Sequence, residues 1–394
     1  MNSISARLPI ILVLGTTQTL AWASSYYLPA ILGDAIAKDV GISSSWFFAA
    51  FSASLLVAAV LGPRIGRTID TFGGRGVLSA SNVILAAGLV LLGLAHSIWL
   101  VSVAWLLLGV GMGMGLYDAA FAALGRIYGS AARSSITGIT LLAGFASTIG
   151  WPLSAWGLAE LGWRETCFAW AAAHIFIGLP LNLFLLPRAE RVEGEDTTVK
   201  PHIPMDRNMW LLAAAFALAW TVTGAMAAHL PRLLESGGAT PAQALAAGAL
   251  IGPAQVLARI LEASVLGRAH PLLSARLATI THPIGAAVIG VFGGGLPALA
   301  FAALHGFGNG ILTIARGTVP LAIYGPKNYG YRLGLLGAPA RIAQAIAPLL
   351  FGVLVDRIGE ASLIVSSALS IAALGCLMLV TKTHRTAPPA ESHS

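Results

Sequence analysis

Apolar runs long enough to cross a bilayer recur along the chain, at about 8–32, 44–63, 76–95, 98–125, 134–157 and 166–187, and again at 209–230, 241–266, 277–293, 296–322, 334–355 and 360–380. A helix rises about 1.5 Å per residue, so roughly 20 apolar residues span a hydrocarbon layer about 30 Å thick. Short polar or glycine-rich breaks separate most runs. One longer polar stretch, RAERVEGEDTTVKPHIPMDRN at 188–208, divides them six and six. The pattern predicts an all-α polytopic membrane protein of twelve transmembrane helices in two six-helix bundles. The expected division is 1–187, a solvated linker over 188–208, and 209–394 with a short tail.

The two sets also resemble each other in detail. GVGMGMG at 109–115 precedes IYG at 127–129 and GWPLSAWGLAELG at 150–162; HGFGNG at 305–310 precedes IYG at 323–325 and APLLFGVLVDRIG at 347–359. Internal duplication on this scale suits pseudo-symmetric halves that rock about a site near the bilayer midplane. The alternate glycines also let helix backbones approach closely in lipid, which is packing and not chemistry.

Composition and charge sharpen this picture. The chain is 57% hydrophobic with 10% charged residues, and its mean hydropathy is +0.81. Most of its 23 Lys and Arg fall on the side that carries Arg64, Arg67, Arg75, Arg126, Arg133, Arg268 and Arg276. Only Lys38, Arg164, Arg232 and Arg357 fall on the other, and Arg259, Arg316 and Arg341 lie within spans. The positive-inside rule then places both termini in the cytoplasm, in an inner (plasma) membrane of bacterial type. Arg7, the run from Leu8 and AWA at 21–23 resemble a cleavable leader. The even number of spans required by the charge bias favours retention of the first helix instead. The net charge of +7 reads as topology, and no basic patch with interleaved aromatics suggests nucleic acid. Cys167 and Cys376 both lie in apolar runs and imply neither a disulfide nor a metal framework. No Walker loop, H-E-x-x-H, G-x-S-x-G or zinc spacing is present, so no enzyme and no cofactor are expected.

Polar residues inside spans are costly and mark candidate function. Arg259 in the eighth span has Gln255 and Glu262 on the same helical face, so it reads either as a cavity lining or as an ion pair with Glu262. Arg341 in the eleventh span has no nearby acid in its own run and shares a face with Gln344. Two guanidiniums converging on one chamber would hold a carboxylate through paired hydrogen bonds. Arg316, near the end of the tenth span, reads as a residue that snorkels to headgroups. Asp118 in the fourth span would either carry a proton or pair with an arginine of the 66–75 loop. Gln18, Trp22 and Tyr26 form a polar-aromatic stripe in the first span, with Tyr27 beside it. His282, His305 and Asn309 are further candidates in the ninth and tenth spans, the histidines for gating or coupling and Asn309 for substrate.

GRTIDTFGGR at 66–75 resembles the G-x-x-x-D-x-x-G-R-R loop of the major facilitator superfamily, with Gly66, Asp70, Gly73 and Arg75 in matching positions. Thr71 and Gly74 stand where that loop often has basic residues. The resemblance covers nearly the whole chain through its six-linker-six layout. It implies secondary transport by alternating access, with the loop locking the cytoplasmic side and its acid facing a helix N-terminus of the other half. Arg259 and Arg341 resemble the cationic pair of oxalate/formate exchangers, and Arg259 that of monocarboxylate porters, where an acid is common at the position of Gln255. That resemblance implies a small mono- or dicarboxylate as partner, moved with a proton or against a counter-anion, by a monomer in contact with lipid. The alternative is an efflux pump for drugs or toxic oxyanions.

Overall fold

The computed structural model describes residues 4–188 and 203–382, and among these every regular element is helical. Most of the expected linker, 189–202, lies outside the described residues. Helices are what hydrocarbon allows, because each backbone N–H and C=O must find its partner within the segment. Among the described residues ten stretches are long and apolar enough to cross a membrane, and two of them are double. Ile98–Glu160 spans 63 residues and Tyr329–Leu379 spans 51, and 3-10 turns at Gly129–Ala132 and Gly359–Ala361 divide them. The result is twelve crossings.

Several helices outrun the apolar stretches. The second span is one helix, Ser44–Phe72, and carries Arg64, Arg67 and Asp70 in its last turns. Hydropathy registers only the hydrocarbon-compatible part, whereas the helix continues wherever its charged end reaches water or a partner. Side-chain caps start it and its neighbours: Ser43 accepts from Trp46 N, Asp206 from Met209 N, and Thr240 forms a capping box with Gln243. Gly73, at φ 83°, ends the second span in a conformation that excludes a Cβ.

The buried clusters follow the two bundles. Two are built mostly from residues before 187 and two from residues after 208. Outward-facing side chains stay apolar, Trp99 at 76% exposure and Leu296 at 80% among them, as a lipid-facing belt requires.

The bundles meet chiefly where the second span crosses the eleventh, Tyr329–Ile358. A Cβ on Gly66 would come within 2.0 Å of Gly330 O, and one on Gly334 within 2.5 Å of Gly62 O. Glycine is thus obligatory at this crossing, which brings the two backbones into direct contact.

Several spans are irregular, and two of the breaks lie beside candidate residues. The first runs Ile4–Ala21, widens into a π-helical turn over Trp22–Tyr26, and resumes at Pro29–Val40. The fourth runs Ile98–Gly115, breaks at Leu116 (ψ −174°), and restarts as Tyr117–Tyr128. Each break turns polar side chains inward.

Candidate functional site

The break at Leu116 places Asp118 in the first turn of a new helix, where the helix dipole favours a carboxylate. Asp118 Oδ2 accepts from Arg316 Nη2 at 2.6 Å and from Arg341 Nη2 at 2.7 Å. Arg341 Nη1 also donates to Ala58 O at 3.1 Å, and the Arg316 guanidinium lies 5.0 Å from the centre of the Trp220 ring. All three side chains are buried, and among the described residues Asp118 Oδ1 has no hydrogen-bond partner. One acid of the first bundle therefore bridges two arginines of the second and leaves a surplus positive charge.

This arrangement corrects three expectations. Asp118 does not pair with an arginine of the 66–75 loop, because the restarted helix aims it across the junction. Arg316 does not snorkel, since a carboxylate is available inside. Arg341 does not stand as an open partner to Arg259: it shares Asp118 and contacts the second span, whereas Arg259 contacts the fifth.

Arg259 is 3% exposed. Its Nη1 donates to Thr140 O at 2.8 Å; its other contacts, Nε to Gly310 O at 3.4 Å and Nη2 to Gln255 Oε1 at 3.5 Å, are long. Among the described residues no carboxylate forms an ion pair with it. Glu262, the alternative partner one turn away, instead accepts from Arg133 Nη2 at 2.8 Å and from Ser274 Oγ at 3.3 Å. The charge of Arg259 is thus enclosed and, among the described residues, has no carboxylate to compensate it.

The first-span stripe reaches the junction between the bundles. Gln18 Nε2 donates to Gly115 O at 2.5 Å, just before the break, and Tyr26 OH accepts from Gln344 Nε2 at 2.7 Å across the junction. Trp22 packs 5.1 Å from Tyr26, 5.9 Å from Tyr27 and 4.9 Å from Tyr117 between ring centres.

Further contacts tie the halves at the end bearing the 66–75 loop. Gly330 N and Tyr331 N, at the start of the eleventh span, each donate to one oxygen of Asp70 at 2.8 Å. Arg133 donates to Leu266 O at 3.0 Å and to Ala269 O, near the end of the eighth span, besides its bond to Glu262. An acid of the first bundle thus meets a helix start and a base meets a helix end, both in the sense the dipole favours. Among the described residues, Arg75 reaches Leu186 O at 3.5 Å, within its own bundle. The structure is closed at this end, and a cavity of about 190 Å³ remains between Gly62, Gly66, Asp118, Gly330 and Gly334.

His282 and His305 join each other, Nδ1 to Nδ1 at 3.0 Å, and His282 Nε2 meets Ser366 Oγ at 2.9 Å. With Asn309, which accepts from Thr223 Oγ1 at 3.2 Å, they line a cavity of about 300 Å³ wholly inside the second bundle. Sequence reasoning missed Arg133, a loop-end charge like any other, and Tyr117, whose only signal was its place beside Asp118 after a glycine run.

The sequence profile of the Major Facilitator Superfamily matches residues 14–311. A gentisate transporter of Corynebacterium glutamicum is 25% identical over 383 residues, covering 89% of this chain and 83% of the relative. Among solved structures, the human organic anion transporter MFSD10 superposes with a TM-score of 0.75 at 17% identity, covering 95% of this chain and 100% of that one. The proton:xylose symporter XylE does so at 0.74 and 12%, covering 96% of both.

Proposed function

The chain belongs to the Major Facilitator Superfamily, and we propose on that premise that it is a secondary transporter carrying a small organic anion by alternating access. The observation that carries this reading is Arg259, a buried guanidinium with no ion-pair partner among the described residues. An unpaired buried charge costs several kcal/mol, so the site favours a ligand that supplies the missing negative charge. The surplus charge on the Asp118 pair adds to the same positive field. The relative carries gentisate by its name, which supports an organic anion as cargo.

In this reading the anion docks at Arg259 between the bundles, with Gln18, Tyr26 and Gln255 around it. The contacts of Asp70, Asp118 and Arg133 hold one end shut until the bundles rock. The driving ion is a proton or a counter-anion, and the closed end is cytoplasmic, with both termini on that side of an inner membrane.

The test is counterflow of labelled mono- and dicarboxylates in proteoliposomes, under imposed pH gradients. Arg259→Gln is expected to abolish saturable counterflow, while Arg259→Lys, which keeps charge but not the planar fork, raises KM by at least about tenfold. Wild-type kinetics in Arg259→Gln overturns the assignment. Protection of growth against toxic oxyanions or drugs without carboxylate counterflow would favour efflux.

A further inference from the structure

Resting on the reading of the chain as an anion transporter driven by a proton or a counter-anion, we propose that the buried His282–His305 pair of the second bundle is the site of the driving ion. It holds a single proton.

The capacity of the pair follows from counting hydrogens. His282 Nδ1 and His305 Nδ1 stand 3.0 Å apart, and two ring nitrogens at that distance share one hydrogen. His282 Nε2 lies 2.9 Å from Ser366 Oγ, whose hydroxyl also reaches Leu363 O at 3.0 Å. His305 Nε2 has no hydrogen-bond partner among the described residues. Two neutral arrangements satisfy these contacts. In one, Ser366 donates to Leu363 O, His282 Nε2 donates to Ser366, His305 Nδ1 donates to His282, and His305 Nε2 is a bare acceptor. In the other the direction is reversed: Ser366 donates to His282 Nε2, His282 Nδ1 donates to His305, and His305 Nε2 carries a hydrogen. Either accepts one more proton, and both then become the same chain, running from His305 through His282 and Ser366 to Leu363 O with every donor matched. A second added proton would set two N–H groups against each other across 3.0 Å.

The pair is reachable and has no acid beside it. It borders the cavity of about 300 Å³ together with the hydroxyls of Thr223, Thr279, Thr281 and Ser370, a polar wall that suits water able to pass a proton to the rings. Among the described residues, charges on the surrounding spans are engaged elsewhere. Arg276, on the same span as His282, donates to Leu377 O, Arg316 and Arg341 bind Asp118, and Glu262 is held by Arg133. His229 of the seventh span meets Pro348 O, the other charged residues of the seventh and eleventh spans stand toward their ends, and the twelfth carries none.

Arg259 is the charge that remains. Its Nε reaches Gly310 O, five residues along the tenth span from His305 and about 7.5 Å of helix rise away. The eighth and tenth spans touch through this stretch: a Cβ on Gly306 would come within 2.8 Å of Ile251 O, and one on Gly310 within 2.6 Å of Gln255 O. A proton on the pair is thus repelled by Arg259 within one packed layer, and an anion at Arg259 lifts that repulsion. Anion and proton therefore strengthen each other's binding by the same factor.

The experiment is uptake into proteoliposomes containing the pH dye pyranine, with the carboxylate of the counterflow panel that the parent moves and with protein-free liposomes to subtract passive acid entry. An inward proton gradient is expected to drive accumulation, with one proton entering per carboxylate. His282→Asn and His305→Asn are expected to lower that accumulation at least tenfold, while saturable counterflow persists and loses its pH dependence. Ser366→Ala leaves both rings in place but deprives the protonated chain of an acceptor, so the midpoint of the pH dependence should move to lower pH. Parent accumulation in both histidine variants overturns the inference, as does entry of two protons per carboxylate. If both variants lose counterflow, Ser366→Ala decides, and an unmoved midpoint overturns the inference. Uptake indifferent to the proton gradient and driven by an opposing carboxylate gradient makes the driving ion a counter-anion, which overturns this inference and leaves the organic-anion reading intact. Failure of every carboxylate to move overturns both.

Discussion

Asp118→Asn is the perturbation that most directly tests how the closed end is held. The substitution keeps the volume and removes one charge. Two guanidiniums of the second bundle are then left side by side at the junction, where Asp118 Oδ2 had bound them at 2.6 and 2.7 Å in an environment almost closed to water. Removing one member of a buried pair costs about 3–5 kcal/mol, because the remaining charge keeps its desolvation penalty. When the bundles separate, the arginines regain water, so nearly the whole penalty falls on the closed state. At 1.4 kcal/mol per factor of ten, the ratio of closed to open molecules falls by roughly 140- to 3,700-fold. The assay is labelling of a cysteine placed at Leu333, a buried position on the eleventh span, in a chain whose Cys167 and Cys376 have been replaced by serine. Asp118→Asn is expected to speed labelling by a membrane-impermeant maleimide at least tenfold, from the side bearing the 66–75 loop. The triple variant Asp118→Asn, Arg316→Gln, Arg341→Gln removes charge from all partners and returns most of the way to the parent rate, since an uncharged set carries no buried ion. Equal labelling in parent and single variant refutes the reasoning, as does a triple variant no slower than the single one.

Other contacts at the same end yield smaller effects. Asp70→Asn loses the charge on two backbone hydrogen bonds worth about 1.5–3 kcal/mol each while keeping one acceptor, so labelling at Leu333 should rise about tenfold; no change removes Asp70 from the latch. Arg133→Gln strands the Glu262 carboxylate, 1% exposed, and should lower the Tm in detergent by several degrees, while Arg133→Gln with Glu262→Gln recovers most of the loss. His270 caps the ninth span by accepting from Leu272 N at 3.2 Å, which needs a neutral ring. Burial first, then Lys382, Arg133 and Arg276, hold its pKa below the ordinary 6.5. The unfolded chain thus takes the proton before the folded one. Its contribution is complete above about pH 6.5 and declines as pH falls toward the folded value. Tm should therefore drop more steeply between pH 7 and 5 in the parent than in His270→Asn, and identical slopes refute the cap's titration.

What the sequence disclosed and what it hid divide along one line. Spans were legible because each is a local run whose length is set by bilayer thickness. The second and first were read short only where Arg64 to Asp70 and the run to Val40 continue beyond the apolar part. Asp118 was visible as an isolated acid, and Arg316 and Arg341 as isolated bases. Their meeting was not, since it depends on how one bundle lies on the other, and the partners stand 198 positions or more apart. The same holds for Arg133 and Glu262, where a local rule offered Arg259 as the neighbour one turn away. Local spacing proposes partners on one helix, and the fold chose partners across the junction for both acids.

That choice isolates Arg259 and bears on how cargo could drive the cycle. Shifting a two-state equilibrium from 1:99 to 99:1 requires about 5.5 kcal/mol of differential binding. Neutralising an otherwise unpaired buried guanidinium is worth about 3–5 kcal/mol, the same size as breaking a buried pair. A carboxylate that reaches Arg259 only in one arrangement of the bundles therefore supplies most of the required bias by itself. Had Glu262 been its partner, an incoming anion would have met a neutral pair and gained little. By engaging Glu262, Arg133 both closes the end of the eighth span and leaves Arg259 in need of an anion. On the proposed reading, latch and binding site are coupled through one acid: when the bundles part and Glu262 loses Arg133, its carboxylate becomes available one turn from Arg259, and the attraction for cargo weakens as that end opens.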